Sequence, residues 1–294
     1  MNKLSIENLT KTYANGVKAL DGVTIEIENG MFGLLGPNGA GKSTLMRTLA
    51  TLQEADSGTA MLNNIDILNQ PAELRKVLGY LPQEFGVYAR ITAEQLLNHI
   101  AILKGITNKK ERKELINYLL NKVNLYDKRN KSVKGFSGGM KQRVGIAQSL
   151  IGNPNLIIVD EPTAGLDPGE RNRFYNLLAD VGQEVIVILS THIVDDVREL
   201  CTKMAVMNMG KIVFQGAPQA AIDELEGKVY SKIVSKNELE EYANNYSIIS
   251  NKMVGGQPLI HIYSDSNPDN NFKQVGANLE DVFFSKINTK FKLV

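Results

Sequence analysis

The sequence predicts an α/β fold in which helices cover a sheet of parallel strands. Two apolar runs, at 156–159 and 185–189, contain no alternating polar residues, and such runs are typical of strands buried on both faces of a parallel sheet. A third apolar run, at 31–35, passes through a glycine-rich turn into an amphipathic segment that begins with Lys42. This is the order of a strand, a loop and a helix. Strands that alternate with helical segments in this way favour the α/β class.

Two smaller parts accompany this core. Alternating apolar residues within 1–30 predict two strands of an antiparallel subdomain. From about 86 to 150 the pattern becomes helical, and Thr92 and Gln95 have the spacing of a capping box at a helix N-terminus. We therefore expect a helical subdomain, residues 86–150, inserted in an otherwise α/β chain.

The character of the chain changes after residue 216. Apolar patterns at 228–234 and 259–263 predict strands, and the pattern at 237–243 predicts a short helix. The sequence thus divides into a main domain, residues 1–215, and a C-terminal accessory domain, residues 216–294, which forms a small α+β appendage.

The composition is that of an ordinary globular protein. Its 294 residues include 33 Lys and Arg against 32 Asp and Glu, a formal net charge of +1. The chain therefore lacks the basic surplus that binds a nucleic-acid backbone, and we expect no nucleic-acid partner. The single cysteine, Cys201, allows no intrachain disulfide and no cysteine zinc site. Its apolar neighbours predict a buried thiol, and this cysteine usage fits a reducing, intracellular setting.

No stretch of the sequence favours membrane insertion. The first residues include acids where a secretory signal peptide would have an apolar run. No uninterrupted apolar stretch approaches the roughly 18 residues that span a bilayer. If the protein works at a membrane, we expect another chain to cross it.

The glycine-rich turn has the composition of a phosphate-binding loop. Its glycines leave room for backbone N–H groups to approach a polyphosphate, and the helix that follows adds the positive end of its dipole. Lys42 would reach the β and γ phosphates, and the Ser43 hydroxyl would bind Mg²⁺. The alternative is an ordinary tight turn before a helix. The residues of the loop are Gly36, Pro37, Asn38, Gly39, Ala40, Gly41, Lys42, Ser43 and Thr44.

Polar side chains stand at the carboxyl ends of three further predicted strands: Gln83, the pair Asp160 and Glu161, and His192. In open α/β sheets, ligands bind at this edge. Asp160 would hold Mg²⁺ through water and so complete the pairing with Ser43. Glu161 would polarise the water that attacks the γ phosphate. His192 could reach the same phosphate, although a lone histidine is more often structural, and the two acids could instead be solvated in a loop.

A second glycine-rich segment, residues 137–139, precedes a helical pattern. Backbone N–H groups converge there on open space, although, taken alone, the segment is better explained as an ordinary N-cap. In their order along the chain, all these motifs resemble those of the nucleotide-binding subunit of an ATP-binding cassette (ABC) transporter, over residues 4–215. The residues that carry the resemblance are Tyr13, the loop at 36–44, Gln83, Ser137, Gly138, Gly139, Asp160, Glu161, Asp167 and His192.

The resemblance implies a P-loop NTPase cassette that hydrolyses ATP with Mg²⁺ in a site shared by two molecules. Two cassettes would pair head to tail, as a homodimer or a heterodimer, with each ATP between the loop of one and residues 137–139 of the other. Tyr13, which lies in a polar bend and could also be a packing residue, would stack on adenine. Gln83 would approach Mg²⁺ and the water and sense the membrane subunit. Glu161 would be the general base, His192 would hold the γ phosphate, and Asp167 would lie across the dimer seam.

Two departures from the family pattern occur. Phe136 and Met140 stand where the signature segment commonly has Leu and Gln, so a polar side chain near the partner's nucleotide is lost. An Ala-Gly pair at 164–165 replaces a commoner Ser-Ala. All charged groups of the motifs are nevertheless present, and we interpret both departures as tolerated variation.

The sequence predicts an ATPase subunit that powers transport, and the end of the chain favours export. The segment 279–283, Leu-Glu-Asp-Val-Phe, resembles the ending of cassettes that pair with export-type membrane subunits. The alternative is that it is an ordinary amphipathic helix at the end of the chain. The expected partner is a separate membrane-spanning permease, and the expected location is peripheral, at the cytoplasmic face of the cell membrane. The alternatives are a soluble ABC ATPase that acts on ribosomes or DNA, and a cassette that binds ATP without turnover.

Overall fold

The computed structural model describes residues 1–83, 86, 90–163, 166–268 and 271–288. In these ranges the strands are β1 (Lys3–Thr12), β2 (Lys18–Glu28), β3 (Gly30–Leu35), β4 (Ser57–Leu62), β5 (Ile65–Asp66), β6 (Leu78–Leu81), β7 (Leu156–Asp160), β8 (Ile186–Thr191), β9 (Lys203–Asn208), β10 (Lys211–Gly216), β11 (Val229–Ile233), β12 (Ser247–Val254), β13 (Gln257–Tyr263) and β14 (Lys273–Gln274). The α-helices are α1 (Lys42–Leu49), α2 (Pro71–Val77), α3 (Ala93–Leu103), α4 (Lys109–Lys122), α5 (Gly138–Ser149), α6 (Pro168–Val181), α7 (Val194–Leu200), α8 (Pro218–Asp223), α9 (Leu239–Asn245) and α10 (Leu279–Ile287).

Six strands form the central sheet, in the order β10-β9-β3-β8-β7-β6. Five of them are parallel, and β10 joins the edge in antiparallel orientation. Every residue of β7 and β8 is buried, as their unbroken apolar runs predict. The α/β fold class is therefore confirmed. The strand order also places the carboxyl ends of β3, β8, β7 and β6 side by side.

A second sheet, with the order β2-β1-β4-β5, is antiparallel. It contains the two strands predicted within 1–30. Its apolar side chains share a core with α1 and with Phe32 and Leu34 of β3. Met31 and Leu35 of β3 belong instead to the core that α3, α4 and α5 cover, because side chains alternate between the two faces of a strand. The central sheet is therefore covered on both faces.

The helices α3, α4 and α5 account for the helical pattern in the middle of the sequence. The predicted capping box at the start of α3 is confirmed, since Thr92 Oγ1 accepts from the Gln95 amide and Gln95 Oε1 accepts from the Thr92 amide. Helix α5 packs closely on β6, where a methyl group added at Gly145 would lie 2.2 Å from Leu81 Cδ1. Within the described ranges, each helix is too short or too polar to span a bilayer.

The C-terminal region forms a third sheet, with the order β12-β13-β11-β14. Strands β11 and β13 confirm the two predicted there, whereas the predicted helix at 237–243 is wrong in its bounds, because α9 spans Leu239–Asn245. Tyr230, Ile260 and Ile262 form a small core of this sheet with their neighbours. Helices α8 and α10, in contrast, bury their apolar side chains in the core of the central sheet, as Val282 does.

Candidate functional site

The phosphate-binding loop connects β3 to α1, and its shape depends on glycine. Gly39 and Gly41 have φ angles of +78° and +109°, in the left-handed region that L side chains rarely adopt. A methyl group added at Gly41 would lie 2.3 Å from the carbonyl oxygen of Ala19, whereas one added at Gly39 would meet no atom within 4 Å. Both glycines are needed for the backbone conformation, but only Gly41 is also held by close packing.

This difference predicts unequal costs for two alanine substitutions. Gly39→Ala should lower the free energy of unfolding by about 1 kcal/mol, the cost of a left-handed alanine. Gly41→Ala should lower it by about 3 kcal/mol, because a backbone clash adds to that cost. Chemical denaturation of the nucleotide-free protein would measure both values. Equal losses would show that packing at Gly41 does not shape the loop.

The Lys42 side chain folds back over the loop. Its Nζ donates to the carbonyl oxygens of Gly36 at 2.7 Å and Pro37 at 3.2 Å, and only 4% of the residue is exposed. Burial lowers the pKa of this ammonium, and the nearby carboxylates of Glu161 and Asp160 partly oppose that shift. The loop thus contains a buried cation, Lys42, whose present partners are neutral carbonyl groups. Charged phosphate oxygens would bind it more strongly.

Three of the predicted site residues meet at the carboxylate of a fourth, Glu161. Its Oε2 accepts from Gln83 Nε2 at 3.1 Å, its Oε1 lies 3.2 Å from His192 Nδ1, and Oε1 lies 3.9 Å from Lys42 Nζ. These side chains come from the carboxyl ends of four neighbouring strands or from the segments that follow them. Glu161 itself is left-handed, with φ of +46°, and its amide donates to the Ser190 carbonyl at 2.8 Å. Such a conformation in a residue other than glycine commonly occurs at functional sites.

Asp160 ends β7 with its side chain buried, and 5% of the residue is exposed. Its Oδ1 makes no hydrogen bond of good geometry within the described residues. Burial raises the pKa of the carboxyl above its usual value, and the neighbouring Ser190 hydroxyl group partly opposes this shift. An orphaned, desolvated carboxylate oxygen is what a bound cation would satisfy. The Ser43 side chain, on the first turn of α1, is exposed. The described residues contain no group of three potential metal ligands, and Mg²⁺ characteristically uses few protein ligands together with water and substrate phosphates.

Tyr13 contacts the helix that follows the loop. Its hydroxyl oxygen lies 3.0 Å from Thr44 Oγ1 and donates to Gln53 Oε1 at 3.0 Å, and 38% of the residue is exposed. The structure therefore places the predicted adenine-stacking residue beside the start of α1, with its hydroxyl group fixed.

The segment 137–139 begins α5. Ser137 is the N-cap, and its Oγ accepts from the Met140 amide at 3.3 Å. Ser137 and Gly138 are exposed, whereas Gly139 is buried against Glu170 of α6, whose Oε2 would lie 2.3 Å from an added methyl group. The hydrogen bonds of Ser137 are local to this turn and do not join it to the Glu161 cluster.

Asp167 is exposed and caps α6, where its Oδ1 accepts from the Glu170 amide. The substituted pair at 164–165 lies outside the described residues. Cys201 is buried as predicted, and desolvation, aided by the charge of Asp196, raises the pKa of its thiol.

The sequence analysis does not identify Asp196, a buried carboxylate close to the site. Asp196 is on α7, four residues after His192, and no part of it is exposed. The only signal in the sequence is an acid whose helical neighbours, such as Val197 and Leu200, are apolar.

Comparisons with known proteins agree on one family. The family model of ABC transporters matches residues 20–164. YxlF, an uncharacterized ABC transporter ATP-binding protein of Bacillus subtilis (strain 168), is 32% identical over 97% of this chain and 99% of its own length. The methionine import ATP-binding protein MetN of Helicobacter acinonychis (strain Sheeba) is 30% identical over 99% of this chain and 84% of its own length.

A solved structure shares the fold. It is the dimeric ATP-binding cassette MJ0796, in a post-hydrolysis state bound to ADP and Pi. The two chains are 27% identical in sequence, and the match covers 73% of this chain and 98% of the MJ0796 chain, with a TM-score of 0.66. The family model and the near full-length relatives thus agree with the site geometry. The chain therefore belongs to the ATP-binding subunits of ABC transporters and is a cassette ATPase.

Proposed function

We propose that the Glu161 cluster is the hydrolytic site and that Glu161 is its general base. The observation that carries this proposal is the convergence of Lys42, Gln83 and His192 on one carboxylate. A carboxylate in this position can accept a proton from the attacking water. Lys42 and His192 would hold the γ phosphate, and Gln83 would lie beside the water.

We further propose that Mg²⁺ is bound with ATP by Ser43, Gln83 and Asp160. The unpartnered Oδ1 of Asp160 supports this assignment. Asp160 also ends β7, beside the end of β8 that His192 follows. When bound, the ion neutralises charge on the β and γ phosphates. The chain's own contribution is a buried acceptor, Asp160, and an exposed hydroxyl group, Ser43, on either side of the phosphates.

The second half of the nucleotide site would come from a second cassette, identical or not. Ser137 and Gly138 are exposed at a helix N-terminus, where backbone N–H groups can bind an anion. In the part of the chain that the structure describes, they make no hydrogen bond to their own phosphate loop. MJ0796 is dimeric with ADP and Pi bound. Head-to-tail pairing would bring the two half-sites together, with Tyr13 and residues 36–44 on one side of the ATP.

We propose that the main unit, residues 1–215, powers a separate permease at the cytoplasmic face of the membrane, and that 216–294 is an accessory domain. The proposed direction is export, because the segment that resembles export-type cassettes forms α10. Leu279, Val282 and Phe283 of this helix are buried in the central core. The relative named for methionine import supports the opposite direction, so direction needs a transport measurement.

Detergent extraction of membranes that contain the tagged chain tests the transport role. We expect a polytopic membrane protein to be recovered with the chain, and recovery with ribosomes instead would contradict the proposal. In inverted vesicles that contain the complex, ATP added outside should drive a transported compound inward if the direction is export. Radiolabelled methionine that is carried out of preloaded inverted vesicles would show import.

A further inference from the structure

The buried carboxylate of Asp196 joins the two segments that hold the proposed catalytic side chains. Its Oδ2 accepts a hydrogen bond from Thr163 Oγ1 at 2.7 Å and another from Thr191 Oγ1 at 2.8 Å. Thr163 lies two residues after Glu161, and Thr191 lies directly before His192. One carboxylate oxygen therefore contacts both loops.

The other carboxylate oxygen is held by α6. Asp196 Oδ1 accepts from the Arg171 guanidinium and from the Tyr175 hydroxyl, and Arg171 also donates to Tyr175. Burial, together with the hydrogen bond to Asp196, raises the pKa of the Tyr175 hydroxyl, so this group remains a donor. A buried carboxylate is tolerated only when it is paired and hydrogen-bonded, and Asp196 has four donors.

One further hydrogen bond lies within the His192 loop, and another joins this loop to the Glu161 loop. Thr191 Oγ1 also accepts from the Ile193 amide at 3.0 Å. This hydrogen bond holds the backbone directly after His192. The Glu161 amide donates to the Ser190 carbonyl. Glu161 has a left-handed backbone, a conformation that persists only when its surroundings enforce it. Thr163 and Thr191 are buried, so Asp196 contacts the loops on their buried side.

We propose that Asp196 is a positioning residue that sets the distance between the Glu161 carboxylate and His192. This inference rests on the proposed function of the Glu161 cluster. Within the described residues, none of the four hydrogen bonds to the Asp196 carboxylate comes from the phosphate loop. Asp196 should therefore affect the rate of the chemical step and leave ATP binding almost unchanged, because a small displacement of reacting groups has a large effect on rate.

The test is the steady-state kinetics of Asp196→Asn, which keeps the size of the side chain and removes its charge. We expect kcat for ATP hydrolysis to fall about 30-fold and KM for ATP to change by less than about twofold. The control is Asp195→Asn, an exposed neighbour on the same helix that pairs with Arg198; its kinetics should be those of the unmodified protein. An Asp196→Asn variant that is folded and has an unchanged kcat would overturn the proposal.

A double-mutant cycle with Glu161→Gln separates this proposal from the proposed function. If Asp196 acts through Glu161, adding Asp196→Asn to Glu161→Gln should lower kcat by less than about threefold further. A full further loss of about 30-fold would show that Asp196 acts elsewhere and would contradict the inference. A Glu161→Gln variant with an unchanged rate would instead contradict the general-base assignment itself.

Two smaller changes test the same point if Asp196→Asn does not fold. Thr163→Val and Thr191→Val each remove one donor to Asp196 while keeping the side-chain shape, and each should lower kcat about fivefold at constant KM. Thr163→Ser and Thr191→Ser restore the hydroxyl group and should restore the rate. If the valine variants retain the unmodified kcat, or if serine fails to rescue them, the proposal is wrong.

Discussion

Replacement of Glu161 by glutamine is expected to lower the rate of ATP hydrolysis by about 1,000-fold and to leave ATP bound. The amide has the size of the carboxylate but cannot take a proton from water. Lys42 would still be free to bind the phosphates, because its own hydrogen bonds go to loop carbonyls. In the proposed dimer the γ phosphate links the two half-sites and hydrolysis removes it, so the variant should accumulate as an ATP-bound dimer.

Phosphate release and size-exclusion chromatography with Mg²⁺ and ATP would measure the two effects of this substitution. Glu184→Gln is a suitable control, because Glu184 is exposed and its side chain lies outside the cluster. Hydrolysis by Glu161→Gln at the unmodified rate would show that Glu161 is not the base. The same assay on the unmodified chain decides whether the cassette turns over or only binds ATP.

The substitution Lys42→Ala is expected to weaken ATP binding by about 10- to 100-fold and to remove measurable hydrolysis. A charged hydrogen bond to phosphate contributes about 1.5–3 kcal/mol, and the loop has no other buried cation within the described residues. The nucleotide-free protein should lose little stability, since burial already lowers the pKa of this ammonium and so penalises its charged form. Isothermal titration with Mg²⁺ and ATP would measure the affinity.

Lys104 offers a matched control for this experiment. Burial lowers the pKa of its ammonium as well, and Nζ donates to two backbone carbonyls, those of Arg75 and Leu78. Lys104→Ala removes the same chemical group outside the phosphate loop, so it should change the midpoint of thermal unfolding as little as Lys42→Ala does and leave ATP affinity unchanged. If both variants lost ATP affinity equally, Lys42 would affect ATP binding only through the stability of the fold and not through contact with the phosphates.

Much of the candidate site is predictable because its parts are local in sequence. The loop at 36–44 is a continuous segment, and the acids and His192 directly follow buried strands whose apolar runs are unbroken. The capping box at Thr92 is likewise a short-range pattern. In contrast, β12 is mostly exposed, with no regular alternation of apolar residues, so periodicity could not identify it. In the edge strand β10, exposed and half-buried positions alternate regularly, but its apolar residues, 212–214, are consecutive in the sequence. Periodicity therefore could not identify this strand either.

Local sequence patterns are enough to predict the fold class, the phosphate-binding loop and the residue types at the strand ends, because each depends on near neighbours and on the period of apolar residues. The contacts of Gln83 and His192 with the Glu161 carboxylate, in contrast, are visible only in the folded chain. That contact depends on the order β3-β8-β7-β6, which is a matter of pairing between distant strands. The Asp196 cluster is also a product of the tertiary structure, since its donors come from three separate segments that meet only when α6 and α7 pack beside the sheet.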